Sequence, residues 1–97
     1  MISYKHSEMT LHYWRTHRGE HEVDLILAKG KTPVFAIEIK SKRKISKSDM
    51  RGLLELKKEY PSVKAFCVCE TSAPYEFEGI DVLPWREFLE FIDRALT

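Results

Sequence analysis

The chain has no long apolar run, almost no cysteine and no surplus of one charge, and each shortage removes a class of protein. No apolar stretch in the 97 residues approaches the roughly 20 that a membrane helix needs. The N-terminal Met1-Ile2-Ser3-Tyr4-Lys5-His6 lacks the apolar centre of a signal peptide. Cys67 and Cys69 are too few for a disulfide framework and, two positions apart on a strand, are poorly placed to bridge each other. C-x-C without further cysteines is no zinc signature either. They read as small buried or half-buried thiols in a reducing cytosol, so the expected localisation is cytoplasmic. The formal net charge of +1 neither demands nor excludes nucleic acid, so only the distribution of charge can argue for it. No repeat, low-complexity segment or linker divides the sequence. With 43% hydrophobic and 32% charged residues, it reads as one globular domain over 1–97 with a single core.

Two stretches organise what is there. Glu22-Val23-Asp24-Leu25-Ile26-Leu27 and Val34-Phe35-Ala36-Ile37-Glu38-Ile39-Lys40 are short, rich in β-branched and large apolar residues, and bounded by turn formers, as strands are. Alternation puts Phe35, Ile37 and Ile39 on one face and Val34, Ala36, Glu38 and Lys40 on the other. In the first strand Val23, Leu25 and Leu27 share a face, and Glu22, Asp24 and Ile26 share the opposite one. Lys29-Gly30-Lys31-Thr32-Pro33 between them has the length and the Gly and Pro of a hairpin loop. If that loop is symmetric about Lys31, residues whose numbers sum to 62 lie opposite each other. Asp24 then faces Glu38, and Glu22 faces Lys40. Directly opposed like charges destabilise a sheet, so the Asp–Glu pair calls for a cation. Mg²⁺ or Mn²⁺ suits two carboxylates, and Lys40 beside them can meet a phosphate or an attacking water.

The remaining chain supplies cover for this hairpin. Leu11-His12-Tyr13-Trp14-Arg15-Thr16 reads as a first strand, after a polar lead over residues 1–9 that is a short helical turn or loose chain. His17 and His21 stand at i and i+4, but Gly19 between them and the β-type flanks argue against a helical metal pair. His12 reads as structural or surface. Lys42, Arg43, Lys44 and Lys47 form a basic run directly after the candidate site, either a phosphate-binding loop or a solvated one. Ser46 and Ser48 are N-cap candidates, and Asp49 suits the positive end of a helix. Met50, Leu53, Leu54 and Leu56 recur at helical spacing over 49–60, and Pro61 stops the helix. Val63 to Cys69 is a nearly continuous apolar strand, placed parallel to the Glu38 strand through a crossover. Residues 70–79 read as a loop whose Tyr75 and Phe77 cover an edge or contact a partner. Ile80-Asp81-Val82-Leu83 is a last strand, and Pro84-Trp85 opens a helix with Trp85, Phe88, Leu89, Ile92 and Leu96 on one face. The expected fold is α/β, a mixed sheet flanked by helices in the order β-β-β-α-β-β-α.

Asp24, a hairpin and then Glu38-Ile39-Lys40 resemble the metal-binding signature of the PD-(D/E)XK, or restriction-endonuclease-like, nuclease superfamily. Together with Tyr13-Trp14-Arg15-Thr16 and the closing Val82-Leu83-Pro84-Trp85, the pattern is similar to the nuclease-like C-terminal domain of bacterial and archaeal AAA-type ATPases. The resemblance spans roughly residues 11 to 90 and implies a restriction-endonuclease-like sheet and a longer ATPase parent. It adds the Ile39 backbone carbonyl to the metal shell, and an acid from a helix before the first strand, for which Glu8 is the only candidate. What it implies chemically is metal-dependent hydrolysis of nucleic-acid phosphodiesters, DNA first, with Asp24, Glu38 and Lys40 as the catalytic set. Glu22 is either a further metal contact or the partner of Lys40. A homodimer or the parent ATPase is expected alongside, because so small a domain offers little surface to grip a duplex. The alternative is a catalytically inactive DNA-binding or protein-docking module of such an ATPase. In that case Glu22–Lys40 is a surface ion pair, and Asp24 and Glu38 are solvated on an open sheet face.

Overall fold

The structure, a computed structural model, describes residues 3–4, 9–15 and 22–96, with side chains described for 10–12 and 23–95. Its centre is the hairpin of β3 (Glu22–Lys29) and β4 (Thr32–Ile39). The turn is tighter than the Gly and Pro content suggests, because only Gly30 and Lys31 lie between the strands. Gly30 takes a φ of 65° at the first turn position, where the two-residue turn that matches strand twist needs a residue without a Cβ. Lys29 pairs with Thr32 and Ala28 with Pro33, and an extra residue on β4, Val34, then shifts the register. From Leu27–Phe35 onward the partners, including Leu25–Ile37, sum to 62, the register read from the sequence.

Before and after this hairpin the chain extends the same sheet. β1 (Ser3–Tyr4) pairs with β2 (Met9–Arg15), and β2 pairs antiparallel with β3. β1 corrects the expectation of a helical turn or loose lead, since its backbone completes hydrogen bonds along the free side of β2. After β4 a 3₁₀ turn (Lys47–Met50) runs into α1 (Arg51–Glu59), which ends as Tyr60 N–H donates to the Leu56 carbonyl at 2.8 Å ahead of Pro61. β5 (Lys64–Cys69) returns parallel to β4, and β7 (Ile80–Pro84) lies parallel to β5. β6 (Tyr75–Phe77) is a strand inside the segment read as a loop, where it pairs antiparallel with β7 and forms the edge. The β6–β7 turn is made by Glu78 and Gly79, both at positive φ. α2 (Trp85–Leu96) follows Pro84 directly. The mixed sheet has the order β1-β2-β3-β4-β5-β7-β6. Neither described helix is long and apolar enough to cross a membrane.

Two cores lie on opposite faces of the sheet. Met50, Leu53 and Leu56 from the α1 side pack on Ile26, Ala36, Ala65, Cys67, Ile80 and Val82. Phe88, with Phe91 and Ile92 of α2, packs on Leu27, Phe35, Ile37, Phe66 and Val68. Strict alternation fails at two places, each at a bulge. Val34, the extra residue on β4, joins the α2-side core with Phe35 instead of following Ala36. On the β2–β3 ladder, Trp14 pairs with Val23 and His12 with Ile26, so Tyr13 on β2 is matched by both Asp24 and Leu25 on β3. Two residues against one reverse the facing of β3 on the far side of the bulge, and Val23 packs with the α1-side core, away from Leu25. The expected shared face of Val23, Leu25 and Leu27 is therefore corrected at Val23.

Candidate functional site

The bulge sits at Asp24 and changes what that carboxylate can reach. Asp24 Oδ2 accepts the Ile39 N–H at 2.9 Å, taking the place of a ladder carbonyl at the end of β4. The paired register ends at Leu25–Ile37, and Asp24 and Glu38 are the next residues on the two strands. On the far side of β4, Lys40 N–H donates to the Val68 carbonyl at 2.9 Å, so the ladder with β5 continues through Lys40. Backbone groups alternate sides along a strand, which turns the Ile39 N–H, and with it the Ile39 carbonyl, toward β3 and Asp24. Asp24 keeps a second oxygen that no described donor engages.

Glu38 is the one charged residue among the described residues that is buried, at 6% exposure. It lies directly across the parallel ladder from Cys67. Burying a carboxylate is costly without compensation, and Glu38 is not left without a partner. Burial pushes the Cys67 thiol up to about 12, helped by the nearby Cys69, Glu38 and Asp49 and opposed by Lys40. Cys67 belongs to the α1-side core, so Glu38, matched with it across the ladder, faces that side of the sheet. Cys67 stays protonated at neutral pH and offers no thiolate ligand. Both cysteines are buried and free. Lys40 is half-buried and carries no ion pair among the described residues.

The basic run is not uniform. Lys42 Nζ bonds Asp49 Oδ1 at 2.7 Å, and Glu70 N–H donates to the Lys42 carbonyl at 2.8 Å, which ties the start of the run over the end of β5. Lys47 pairs with Glu78 at 3.6 Å, which fastens its other end beside the β6–β7 turn. Arg43 and Lys44 are exposed and have no ion pair among the described residues. Asp49 is the organiser here. Beyond Lys42, its Oδ2 accepts the Ser46 N–H at 2.9 Å and the Ser46 hydroxyl at 3.0 Å. The Lys42 ammonium and these donors lower its pKa from 3.8 to about 2. A lowered carboxylate pKa means stability that is present above the unfolded value near 3.8 and lost as pH falls through about 2. Asp49→Asn should therefore cost about 1 kcal/mol at pH 7, a figure reduced for solvent screening of Lys42. The gap from wild type should close between about pH 4 and pH 2 in denaturant titrations. A gap that is independent of pH would assign the loss to packing instead.

Several expected site residues have no described position. Glu8, Thr16 and the turn from His17 to His21 lie outside the described residues, as do the side chains of Tyr13, Trp14, Arg15, Glu22 and Leu96. His12 is exposed and its Nε2 lies 2.6 Å from Thr10 Oγ1, a surface contact. A cleft of about 420 Å³ lined by Lys47, Arg51, Glu55 and Glu78 among others contains none of Asp24, Glu38 or Lys40. Its charges are partly cancelled within it, as Lys58 pairs with Glu55 at 3.2 Å and Lys47 with Glu78.

Among the described residues no group of three or more His, Cys, Asp or Glu stands ready to hold a metal. The donors present are two carboxylates and a backbone carbonyl, all oxygen. That set fits a hard cation that keeps part of its water shell, and not a closed all-protein cage. Sequence reasoning read Cys67 as a buried thiol without setting it beside Glu38, and it passed over the tie between Asp49 and Lys42 and Tyr75 as part of a strand. Only the first had a signal, since a parallel β5 beside β4 already implies a residue opposite Glu38. Compared with curated proteins and with solved structures, the chain has no match. A family model matches over residues 1–88, and on that match the chain belongs to the family described as DUF4143, a domain of unknown function.

Proposed function

We propose that this domain is a metal-dependent nuclease of restriction-endonuclease-like type, with Asp24, Glu38 and Lys40 as its working residues. The observation that carries the reading is Asp24 locked by the Ile39 N–H at 2.9 Å beside a buried Glu38. A scaffold gains nothing from two carboxylates held at one sheet end. The meander of β2, β3 and β4, followed by α1 and a parallel β5, supports the superfamily kinship that the Asp24 and Glu38-Ile39-Lys40 pattern suggests. Asp24, Glu38 and the Ile39 carbonyl would hold Mg²⁺ or Mn²⁺, which supplies Lewis acidity to a phosphate oxygen and to water. Lys40, an all-donor cation, orients the attacking water or meets the charge that grows on phosphorus oxygens in the transition state. The Ile39 N–H fixes one oxygen of the Asp24 carboxylate and leaves the other for a metal. Incubation with mixed labelled DNA and RNA should give cleavage in Mg²⁺ or Mn²⁺ and none in EDTA. Intact substrate under all three conditions, alone and with an ATPase parent, would end the nuclease reading.

The basic run would hold the substrate backbone, with Arg43 and Lys44 as its available cations. Replacing both with Ala should weaken binding about equally across sequences and reduce the salt slope by roughly one per lost phosphate contact. An unchanged slope would return them to a solvated loop. Lys42→Ala should instead lower thermal stability, because it also releases Asp49.

A second reading, an inactive docking module on an ATPase, is favoured by one feature. Trp85 and Leu89 on α2 are 46% and 57% exposed, one turn apart. It predicts that Trp85→Ala or Leu89→Ala breaks association with the parent while the acids on the other face are dispensable.

A further inference from the structure

Side-chain rows run across a sheet at right angles to its strands, and one row starts at the candidate site. Glu38 on β4 is matched with Cys67 on β5, Cys67 with Val82 on β7, and Val82 with Tyr75 on β6. Matched residues share a face, so Glu38 and Tyr75 stand on the same side of the sheet, three strand spacings or ~14 Å apart. The middle of the row is covered: Cys67 and Val82 are fully buried, and Met50 packs in the same cluster. At the far end Tyr75 emerges, 43% exposed. Burial, and then the Cys69 and Cys67 thiols, raise its phenol pKa.

The basic segment starts from the Glu38 end of this row. It begins next to Lys40 and is tied over the end of β5 through the Lys42 carbonyl, and its last residue, Lys47, pairs with Glu78 in the β6–β7 turn, at the opposite end of β6 from Tyr75. Glu76 does not oppose an anion here, because it is matched with Asp81 on the other face, where Asp81 pairs with Lys64 at 3.5 Å. Glu78 is offset by Lys47. The row thus has carboxylates and Lys40 at one end and an exposed aromatic ring at the other, and the exposed cations Arg43 and Lys44 follow in the chain from the Lys40 end.

We propose that Tyr75 is a stacking platform for an unpaired base, and that the substrate is a single-stranded nucleic acid reaching from Tyr75 to Lys40 and the basic segment. The inference rests on the nuclease reading of the Asp24–Glu38–Lys40 site and adds the strandedness of its substrate. Cations track a phosphate backbone in any nucleic acid, whereas a ring face can take up a base only where that base is free of its partner. Stacking is indifferent to base identity, so cleavage should show little sequence preference on single strands.

The test is equilibrium binding by fluorescence anisotropy in EDTA, so that no cleavage occurs. The full chain is titrated into a labelled oligothymidine of about 12 nucleotides, within the span that such grooves cover. A blunt duplex of the same length runs in parallel. Wild type should prefer the single strand. Tyr75→Ala should weaken single-strand binding about 5- to 150-fold, the loss of one stacked base. Duplex affinity and the salt slope should stay unchanged, because no counterion release depends on the ring. Tyr75→Trp should bind the single strand at least as well as wild type, which also guards against a mere folding defect. Single-strand affinity indifferent to Tyr75→Ala, equal losses on both ligands, or a Tyr75→Trp variant as weak as Tyr75→Ala would each overturn the proposal. The two readings fail separately. A wild type that binds through Tyr75 but never cleaves with Mn²⁺ removes the nuclease and keeps the platform. One that cleaves without regard to Tyr75 does the reverse.

Discussion

Lys40→Ala should abolish cleavage, by about 10² to 10³-fold or more, while leaving Mn²⁺ binding intact or stronger. The reason is one of charge. A protonated lysine cannot ligate a cation, so its removal takes away a donor aimed at the substrate and a positive charge beside the metal position. Asp24→Asn and Glu38→Gln should fail differently, losing Mn²⁺ binding and cleavage together. Asp24→Asn keeps an oxygen that can still accept the Ile39 N–H, so its effect isolates the charge from the 2.9 Å tie. Glu38→Gln removes a charge from a position only 6% exposed while keeping the size of the side chain, so a loss of Mn²⁺ binding reads the charge. Nucleic-acid binding in EDTA should survive all three substitutions, because Arg43 and Lys44 are untouched. Calorimetric Mn²⁺ titration alongside a cleavage assay separates the cases. Acid variants that bind Mn²⁺ like wild type would remove the carboxylates from the metal site, whatever happens to activity.

Phe66→Ala should be the most damaging single truncation for the fold, costing about 3–5 kcal/mol. Phe66 is 1% exposed in the middle of β5 and is the ring that joins sheet to helix. Its centroid lies 4.8 Å from Phe91, 5.6 Å from Phe88 and 6.3 Å from Phe35, so removal leaves a cavity walled by three other rings. The Lys64 ammonium lies 5.9 Å from the Phe66 and Phe91 rings, and that contact with Phe66 disappears as well. A loss of this size is comparable to the whole stability of many domains of this length, so Phe66→Ala should be largely unfolded near physiological temperature. Phe66→Leu, which fills most of the volume, should fold with a reduced midpoint. Denaturant midpoints for the pair check this. A loss below about 1 kcal/mol for the alanine variant would mean that α2 is not anchored through this ring.

Cleavage assays and midpoints test an arrangement that is readable from the sequence to different depths at different places. The strands around Asp24 and Glu38, the amphipathic helix that Pro61 stops, and the helix opening after Pro84 all arise from local chemistry. Their signals are alternation, apolar spacing and turn residues, each contained within a few positions. The 62-sum register follows from a symmetric five-residue loop in the sequence, whereas in the structure the two-residue turn alone gives sums of 61 and the extra residue Val34 restores 62. β6 was not legible, since Tyr75-Glu76-Phe77 has no length or pattern of its own and becomes a strand only because β7 offers a free edge. Nor were the bulges. Val23 and Val34 both read as regular members of their strands, and each was turned to the other core by an extra residue on one side of a ladder. A bulge is a property of two strands together, as its cause is the mismatch in count between Tyr13 and the Asp24–Leu25 pair. The candidate site divides along the same line. Asp24, Glu38 and Lys40 were evident from residue type and spacing. That Asp24 grips the Ile39 N–H, that Cys67 lies beside Glu38 and that Tyr75 ends the same row depend on strands brought together from distant parts of the chain. Those contacts exist only once the sheet has closed its ladders, because a backbone hydrogen bond or a cross-strand row has no counterpart in any single segment.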